Sequence, residues 1–179
     1  MEFSDLCKSE DELIISNKKL NNQLQEVRGN IRVYCRVRPF LKEEKPTSLY
    51  HEVENNGTTL VLSCPAEKKK SENAWDKLPF VFDRVFDMDD SQDVVFGELE
   101  QLVLCALEGK NVCVFAYGQT GSGKTYTMEG NEEEKHWGII PRSARLIFDE
   151  IESAQERKWK YKVTMKIEEI YKNKMNEFT

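Results

Sequence analysis

Residues 118–125 read Gly-Gln-Thr-Gly-Ser-Gly-Lys-Thr and match G-x-x-x-x-G-K-S/T, the pattern of a phosphate-binding loop. Successive backbone N–H groups in such a loop curl around a polyphosphate, and glycines let the backbone come that close. The pattern directs the Lys124 ammonium to the β- and γ-phosphates and the Thr125 hydroxyl to a Mg²⁺ ion. The sequence therefore predicts a nucleoside triphosphate site. The alternative is a glycine-rich turn that binds nothing.

The segments that flank the loop fit this interpretation. Residues 112–117 are an unbroken apolar run, which is typical of a strand buried on both faces. Residues 126–128 can continue the first turn of a helix, whose N-terminal dipole favours an anion. Because a phosphate loop needs a strand before it and a helix after it, this context strengthens the prediction.

Composition limits the classes of protein that the chain can represent. Its 179 residues are enough for one domain with a hydrophobic core. The net charge of −6 argues against general binding to nucleic acids or anionic membranes. No apolar run approaches the ~20 residues of a membrane span, and the acidic, polar N-terminus is unlike a signal or transit peptide. We therefore expect no nucleic-acid partner and no membrane partner.

Cysteines, histidines and one basic triplet indicate little chemistry of their own. The five cysteines are scattered and form no C-x-x-C pair, which predicts a reducing, cytosolic compartment. His51 and His136 lie in polar surroundings, so we expect both side chains to be exposed. The triplet at residues 68–70, all lysine, is more typical of a solvated loop tip than of a binding site.

Apolar residues recur every seven positions near the N-terminus, at Leu6, Leu13, Leu20 and Val27. Taken as d positions, they place Leu24 and the polar Asn17 at a, where an asparagine fixes register in two-stranded coiled coils. Gly29-Asn30 ends the helix. The pattern favours the end of a longer coiled coil. The alternative is a single amphipathic helix packed on its own domain.

Period-two alternation and turn residues predict the strands. They are Ile31–Pro39, a hairpin over 51–64 that turns at Asn56-Gly57, Phe80–Phe82, and a last strand that alternates through Tyr161, Val163, Met165 and Ile167. Helical periodicity predicts two helices. One is capped by Asp90 or Ser91 and ends at Gly109, and the other covers 139–151. Strands that alternate with helices around a phosphate loop indicate an α/β fold with a mixed sheet.

Several of these segments together resemble the motor domains of kinesins, specifically the C-terminal-motor, minus-end-directed branch, class fourteen. The markers are VRGNIRVYCRVRP at 27–39, FVFDRVF at 80–86, the run from 112 to 130, GIIPR at 138–142 and EIY at 169–171. The resemblance implies the P-loop NTPase (kinesin motor) fold with a central mixed β-sheet, preceded by a short coiled-coil helix. It covers about residues 23–178, and its markers together are far more specific than the phosphate loop alone.

The resemblance also implies the nucleotide site. In kinesins an R-x-R-P segment lines the adenine pocket, which transfers to Arg36, Arg38 and Pro39 here, and the aromatic residue after the phosphate loop stacks on the base, which is Tyr126. The implied cofactors are ATP and Mg²⁺, with Thr125 as the metal-binding side chain. The implied phosphate-loop residues are Gly118, Gln119, Thr120, Gly121, Ser122, Gly123, Lys124 and Thr125.

The chain departs from the family's pattern in length. The two γ-phosphate sensor segments of kinesins, N-x-x-S-S-R and D-x-x-G, are not found in it. We therefore expect residues 1–28 to be a neck helix and 29–179 to be the N-terminal half of a motor domain, truncated before the switch segments. The strands that flank 112–117 in the family would come from the missing half, which predicts an unpaired backbone there. The sequence does not identify a catalytic residue within the chain.

The resemblance implies an ATP-driven microtubule motor in the parent protein, with microtubules as partner and a dimer formed through the N-terminal coiled coil. It places that protein in the cytoplasm on the microtubule cytoskeleton, with the spindle as one site. A non-catalytic kinesin-like module that partners another motor through residues 1–28 is the alternative of a different class. An unrelated P-loop NTPase is a third, which the matches at 36–39 and Tyr126 disfavour.

Overall fold

The computed structural model of the chain describes residues 3–29, 31–41, 44, 50–65, 75–155, 160–172 and 174–178. The lysine triplet at 68–70 lies outside these residues. The chain divides into two units, 1–143 and 144–179. None of the described helices combines the length and the apolarity needed to cross a membrane.

The N-terminal helix, α1 (Phe3–Arg28), confirms the predicted helix and its end. Gly29 follows it with φ +89°, a left-handed conformation that terminates helices. The described apolar residues of the seven-residue repeat are exposed: Leu13, Leu20 and Val27 retain 62%, 59% and 86% of their accessible surface. The single-helix alternative requires the apolar stripe to pack on its own domain. These exposed side chains do not pack in that way.

Among the described residues of the first unit, five strands follow α1: β1 (Tyr34–Arg36), β2 (Tyr50–Glu54), β3 (Thr59–Pro65), β4 (Trp75–Val81) and β5 (Arg84–Phe86). β1 pairs in parallel with β5, and Arg36 lies beside Phe86 at the carboxyl end of both strands. β2, β3 and β4 form a separate antiparallel sheet. The predicted strand over 31–39 is thus reduced to three residues, since only 34–36 have a ladder partner.

The predicted hairpin is confirmed. β2 and β3 are joined by a 3-10 turn at Asn55–Gly57, in which Asn55 and Asn56 both adopt positive φ angles of 53° and 56°. Asparagine tolerates this conformation better than other residues with a Cβ. The strand predicted at 80–82 is the end of the longer β4, and the Phe82 N–H still donates to the Thr58 carbonyl at 2.8 Å.

After β5 the described residues form four α-helices: α2 (Gln92–Gly97), α3 (Glu100–Leu107), α4 (Lys124–Met128) and α5 (Ile139–Gln155). Ser91 caps α2, and its hydroxyl accepts from the Val94 N–H at 3.4 Å. The single helix predicted between this cap and Gly109 is interrupted at residues 98–99, so it is two helices. The helix predicted over 139–151 is confirmed and extends to Gln155.

A small core joins β5 to α2. Phe86 and Val85 retain 2% and 3% of their accessible surface, and Val95 and Leu99 retain 4% and 5%. The Tyr34 ring meets the Phe86 ring edge-to-face with centroids 6.0 Å apart. Burial of these side chains fixes the two parallel strands against the residues that follow Ser91.

The C-terminal part of α1 packs on α3 through polar side chains. The Asn22 amide donates to the Glu108 carboxylate at 3.1 Å, and the Asn21 amide donates to the Cys105 sulfur at 3.6 Å. The Arg32 guanidinium, just after the end of α1, donates to the Gln25 side-chain oxygen at 2.6 Å. Asn22 and Gln25 lie at heptad positions f and b, opposite the apolar seam. The helix is thus held on its polar side, and the seam faces outward.

The strand predicted at 112–117 is wrong for this structure. The described backbone there has no ladder partner, and the Phe115 and Tyr117 side chains are 81% and 96% exposed rather than buried on both faces. A strand needs neighbours to satisfy its N–H and C=O groups. Local apolarity is therefore not enough to form one. The accompanying prediction of an unpaired backbone holds.

The second unit contains the C-terminal part of α5 and a hairpin of β6 (Ile167–Tyr171) with β7 (Lys174–Phe178). The last strand predicted from residues 161–167 is wrong, because residues 160–166 carry no strand and β6 begins where that prediction ends. Lys172 takes a positive φ of 48° in the turn between the two strands. The described side chains of this hairpin are exposed.

Parallel and antiparallel pairing both occur, as expected of a mixed sheet. In the described residues, however, the pairings are divided among three sheets, ordered β1-β5, β2-β3-β4 and β6-β7. The described strands therefore do not form the single central sheet that was predicted. The segment at 112–117, predicted to be one of its strands, has no ladder partner.

The exposed aromatics of this segment generate a first prediction. We expect the 179-residue chain to self-associate at micromolar concentration, since exposed apolar side chains on an unpaired backbone promote association. The double substitution Phe115→Ser with Tyr117→Ser should reduce the association markedly, as measured by sedimentation velocity over a concentration series.

Tyr50→Ser provides the matched control, because Tyr50 is 60% exposed but lies on a paired strand. It should leave the association unchanged. A wild-type chain that sediments as a single monomer and melts in one sharp transition would contradict the prediction.

Candidate functional site

The phosphate loop is a tight turn that leads directly into α4. Gly123 precedes the helix in a left-handed conformation with φ +95°. Gly118 opens the loop with φ +153°, and a Cβ there would lie 2.5 Å from the Ser122 hydroxyl oxygen. A side chain at Gly118 would therefore clash with the Ser122 side chain across the loop, and the positive φ angle also favours glycine there.

Lys124 closes the loop from within. Its ammonium donates to the carbonyl oxygens of Gly118 at 2.9 Å and Gln119 at 2.8 Å. The Ser122 N–H donates to the same Gln119 carbonyl at 3.2 Å. The lysine therefore points into the loop, and its positive charge is met by backbone dipoles rather than by a carboxylate.

Several other residues of the loop face solvent. Gln119, Thr120 and Gly121 are exposed, and Thr125 is exposed on the first turn of α4. A loop of this shape, with a lysine inside and a free hydroxyl at the helix start, fits a polyphosphate and a Mg²⁺ ion.

A second group of side chains lies beside the loop. The Arg36 guanidinium is 5.4 Å from the centroid of the Tyr126 ring, within cation–π range. It donates to the Gln92 side-chain oxygen at 2.8 Å and to the Thr127 hydroxyl at 3.0 Å. Burial lowers the pKa of Arg36, and the charges of Tyr126 and Asp90 act in the opposite direction. The structure thus brings together two of the predicted adenine-pocket residues.

Arg38 does not join this group. Its guanidinium forms a bidentate ion pair with the Glu44 carboxylate, with N–O distances of 2.7 and 2.5 Å, and it also donates to the Pro39 carbonyl. The Leu41 N–H donates to the same carboxylate at 2.9 Å. These contacts lower the pKa of Glu44 to about 2, with the Arg38 hydrogen bond as the largest cause. The Arg38 Cβ lies 3.9 Å from the point that a Cβ on Gly123 would occupy.

Sequence reasoning missed Gln92, which is 3% exposed. Besides accepting from Arg36, its amide donates to the carbonyl oxygens of Tyr126 at 2.7 Å and His136 at 3.2 Å. The only signal for it was its place directly after the capping residue Ser91, at the start of a helix. Glutamine side chains are mostly exposed in proteins, so the burial of Gln92 was not predictable from the local sequence.

Both histidines were expected to be exposed, and that expectation is wrong. His51 is half-buried, and its Nε2 lies 2.8 Å from an Asp87 oxygen, a contact that lowers the pKa of Asp87. His136 is also half-buried, and its Nδ1 lies 3.2 Å from the Tyr126 hydroxyl. His136 is the last residue of a 3-10 turn, Glu134–His136.

Comparison with known proteins identifies the family. A family model described as microtubule binding matches residues 11–178. The Arabidopsis thaliana kinesin-like protein KIN-14D is 45% identical over 161 residues, which cover 89% of this chain and 20% of that protein. The Saccharomyces cerevisiae kinesin-like protein KAR3 is 46% identical over 156 residues, which cover 86% of this chain and 21% of that protein.

Solved structures agree with the sequence relatives. The motor domain of the Saccharomyces cerevisiae kinesin-like protein KAR3 superposes with a TM-score of 0.68 at 36% identity, covering 83% of this chain and 45% of that one. The C-terminal motor and motor homology domain of Kar3Vik1, fused to a synthetic heterodimeric coiled coil, gives a TM-score of 0.69 at 36% identity, covering 85% of this chain and 39% of that one.

The chain therefore belongs to the kinesin motor family, and its fold is that of the P-loop NTPases. Within the family it belongs with the C-terminal, class-fourteen kinesins. It spans about a fifth of the length of the curated relatives described above and less than half of the solved motor chains.

The Arg38–Glu44 pair generates a second prediction. In a carboxyl-carbon NMR titration, Glu44 should titrate with a pKa of about 2, below its ordinary value of 4.5. Since the lowered pKa belongs to the folded chain, the pair stabilises it above about pH 4.5 and is lost as pH falls toward 2. Arg38→Met should return the Glu44 midpoint toward 4.5.

Lys77→Met is the control, because it removes the partner of a different carboxylate, Glu52. It should leave the Glu44 titration unchanged. A wild-type Glu44 midpoint near 4.5 would show that the ion pair is not formed in solution.

Proposed function

We propose that the protein to which this chain belongs is an ATP-driven microtubule motor of the minus-end-directed, C-terminal kinesin type. The observation that carries the proposal is the folded phosphate loop with Lys124 directed into it. Family membership supports microtubules as the partner and the microtubule cytoskeleton as the location. The whole protein's activity is a proposal because the chain spans only part of its relatives.

The site fits ATP with Mg²⁺. Residues 118–125 would hold the polyphosphate through backbone N–H groups, and the Thr125 hydroxyl would hold the metal. The Lys124 ammonium would exchange its contacts with the Gly118 and Gln119 carbonyls for charge-assisted bonds to phosphate oxygens, which are stronger. Hydrolysis of the γ-phosphate bond would supply the free energy of movement.

The base would lie against Tyr126 and Arg36. An aromatic ring and a guanidinium both offer flat surfaces on which a purine can stack. Pro39 is exposed near the same strand end, whereas the Arg38 head is held by Glu44. Among the predicted adenine-pocket residues, Arg36 and Tyr126 therefore have the better support.

We further propose that α1 is the end of a dimeric coiled coil. Support comes from the exposed seam at Leu13, Leu20 and Val27, and from the polar packing of the opposite side on α3. An exposed apolar stripe of this regularity fits a partner helix with the same repeat. The assembly would then contain two chains, joined through this coiled coil.

A non-catalytic module that partners another motor remains the competing function. One solved relative, Kar3Vik1, combines a C-terminal motor with a motor homology domain. The intact pair Lys124-Thr125 disfavours this candidate, because a module that binds no nucleotide has no need of phosphate ligands. ATP hydrolysis by the intact wild-type protein distinguishes the two functions, and its dependence on Lys124 tests the site.

A third prediction concerns Lys124. In the intact protein, Lys124→Ala should lower microtubule-stimulated ATP hydrolysis at least a hundredfold, because the cation aimed at the β- and γ-phosphates is removed. The measurement is steady-state phosphate release with and without microtubules. Lys110→Ala is the matched control, since Lys110 is an exposed lysine outside the loop. Unchanged hydrolysis in Lys124→Ala would overturn the site assignment, and a wild-type protein without hydrolysis would favour the non-catalytic module.

A fourth prediction concerns the neck. Residues 6–27 should mediate dimerisation in the intact protein, yet a peptide of residues 1–30 should stay largely monomeric at low micromolar concentration, since three imperfect heptads are marginal in water. Leu20→Asp should weaken the intact dimer in sedimentation equilibrium. Lys19→Asp, an exposed position off the seam, should not.

A stable peptide dimer at low micromolar concentration would show that the seam is stronger than we expect. An intact protein that sediments as a monomer would contradict the dimer itself.

A further inference from the structure

We propose that Gln92 is a positioning residue that sets the base-binding surface formed by Arg36 and Tyr126. This inference rests on the proposed nucleotide site and assigns a role to a side chain outside the family's R-x-R-P and phosphate-loop motifs. Gln92 is 3% exposed, and its carboxamide joins three segments that are far apart in the sequence.

The carboxamide uses both of its ends. Its oxygen accepts from the Arg36 guanidinium at 2.8 Å, which anchors the carboxyl end of β1. Its nitrogen donates to the Tyr126 carbonyl at 2.7 Å on α4 and to the His136 carbonyl at 3.2 Å in the 3-10 turn. A buried group with donor and acceptor both satisfied holds its partners in one arrangement.

These bonds fix the relative placement of the two surfaces that would meet a base. Arg36 is held 5.4 Å from the Tyr126 ring, and the Tyr126 backbone is tied to the same carboxamide. The Tyr126 hydroxyl lies within hydrogen-bonding distance of the His136 ring. The His136 carbonyl in turn accepts from the Gln92 amide. The ring is therefore restrained at both ends by contacts that converge on this one residue.

A neutral carboxamide suits this role better than a carboxylate. Arg36 is only half-exposed, and the acceptors that hold it are the neutral Gln92 oxygen and the Thr127 hydroxyl. A glutamate at 92 would pair with the guanidinium and oppose the two carbonyl oxygens, since a carboxylate has no proton to donate. Gln92 thus orients Arg36 while leaving its charge available to the nucleotide.

All three bonds of Gln92 go to residues outside 118–125. A residue that acts through the base pocket should therefore affect ligands that carry a base and spare ligands that do not. A residue that merely stabilises the fold should affect both kinds of ligand alike. The comparison of ATP with inorganic tripolyphosphate separates the two roles.

The test measures the affinity of the intact protein for ATP and for tripolyphosphate, both with Mg²⁺, by calorimetry. Gln92→Met keeps the size of the side chain and removes both hydrogen-bonding ends. We expect ATP affinity to fall about tenfold and tripolyphosphate affinity to stay within twofold. Gln101→Met, the same exchange on α3, should change neither affinity.

A double-mutant cycle with Arg36→Met tests the route of the effect. If Gln92 acts through Arg36, Gln92→Met should cost less ATP affinity in the Arg36→Met background than in the wild type. Where Gln92→Met does not yield folded protein, Gln92→Glu takes its place. It should weaken ATP binding and spare tripolyphosphate in the same way.

Equal losses for the two ligands, or no loss of ATP affinity, would overturn the role of Gln92 while leaving the nucleotide site intact. A wild-type protein that binds neither ligand would overturn the proposed function, and the role of Gln92 with it.

Discussion

The parallel pairing of β1 with β5 is the constraint on which the candidate site depends. It places Arg36 beside Phe86 at the carboxyl ends of both strands, where the chain leaves β5 for Ser91 and Gln92. Burial of Phe86 and Val85 holds the pair together, because these are the two least exposed apolar side chains among the described residues. Arg36 and Gln92, separated by 56 positions in sequence, meet as a result. The carboxyl edge of parallel strands is where α/β folds place their ligands.

The two cations of the site, Lys124 and Arg36, are hydrogen-bonded to neutral groups. Lys124 is held by carbonyl oxygens, and Arg36 is held by a carboxamide, a hydroxyl and a ring. Among the described residues neither cation forms an ion pair within 4.0 Å, whereas Arg38 is bound by Glu44. The first two cations therefore keep their charge for an anionic ligand, and the third is already compensated. The R-x-R-P pattern treats Arg36 and Arg38 alike, but their partners in the structure differ.

Sequence alone determined the features that depend on neighbouring residues. The phosphate-loop pattern, the hairpin at Asn56-Gly57, a helix cap at Asp90 or Ser91 and the helix stop at Gly29 are each set by local conformational preferences. The structure has all four and places the cap at Ser91. Glycine and asparagine adopt positive φ angles at low cost, and a serine hydroxyl can accept from a helix N–H wherever the chain places it. The fold class followed from the resemblance of segments spread along the chain to kinesin motor domains.

Only the tertiary structure decided which of these local elements acquire partners. The run at 112–117 has the composition of a buried strand but lies exposed, since a strand is completed by neighbours that its own residues cannot specify. The burial of Gln92 and the pairing of Arg38 with Glu44 depended equally on contacts outside the local sequence. Sequence determined the local conformations because their energies come from adjacent residues. The structure decided the strand pairing and the charge of the site because those energies come from residues brought together by folding.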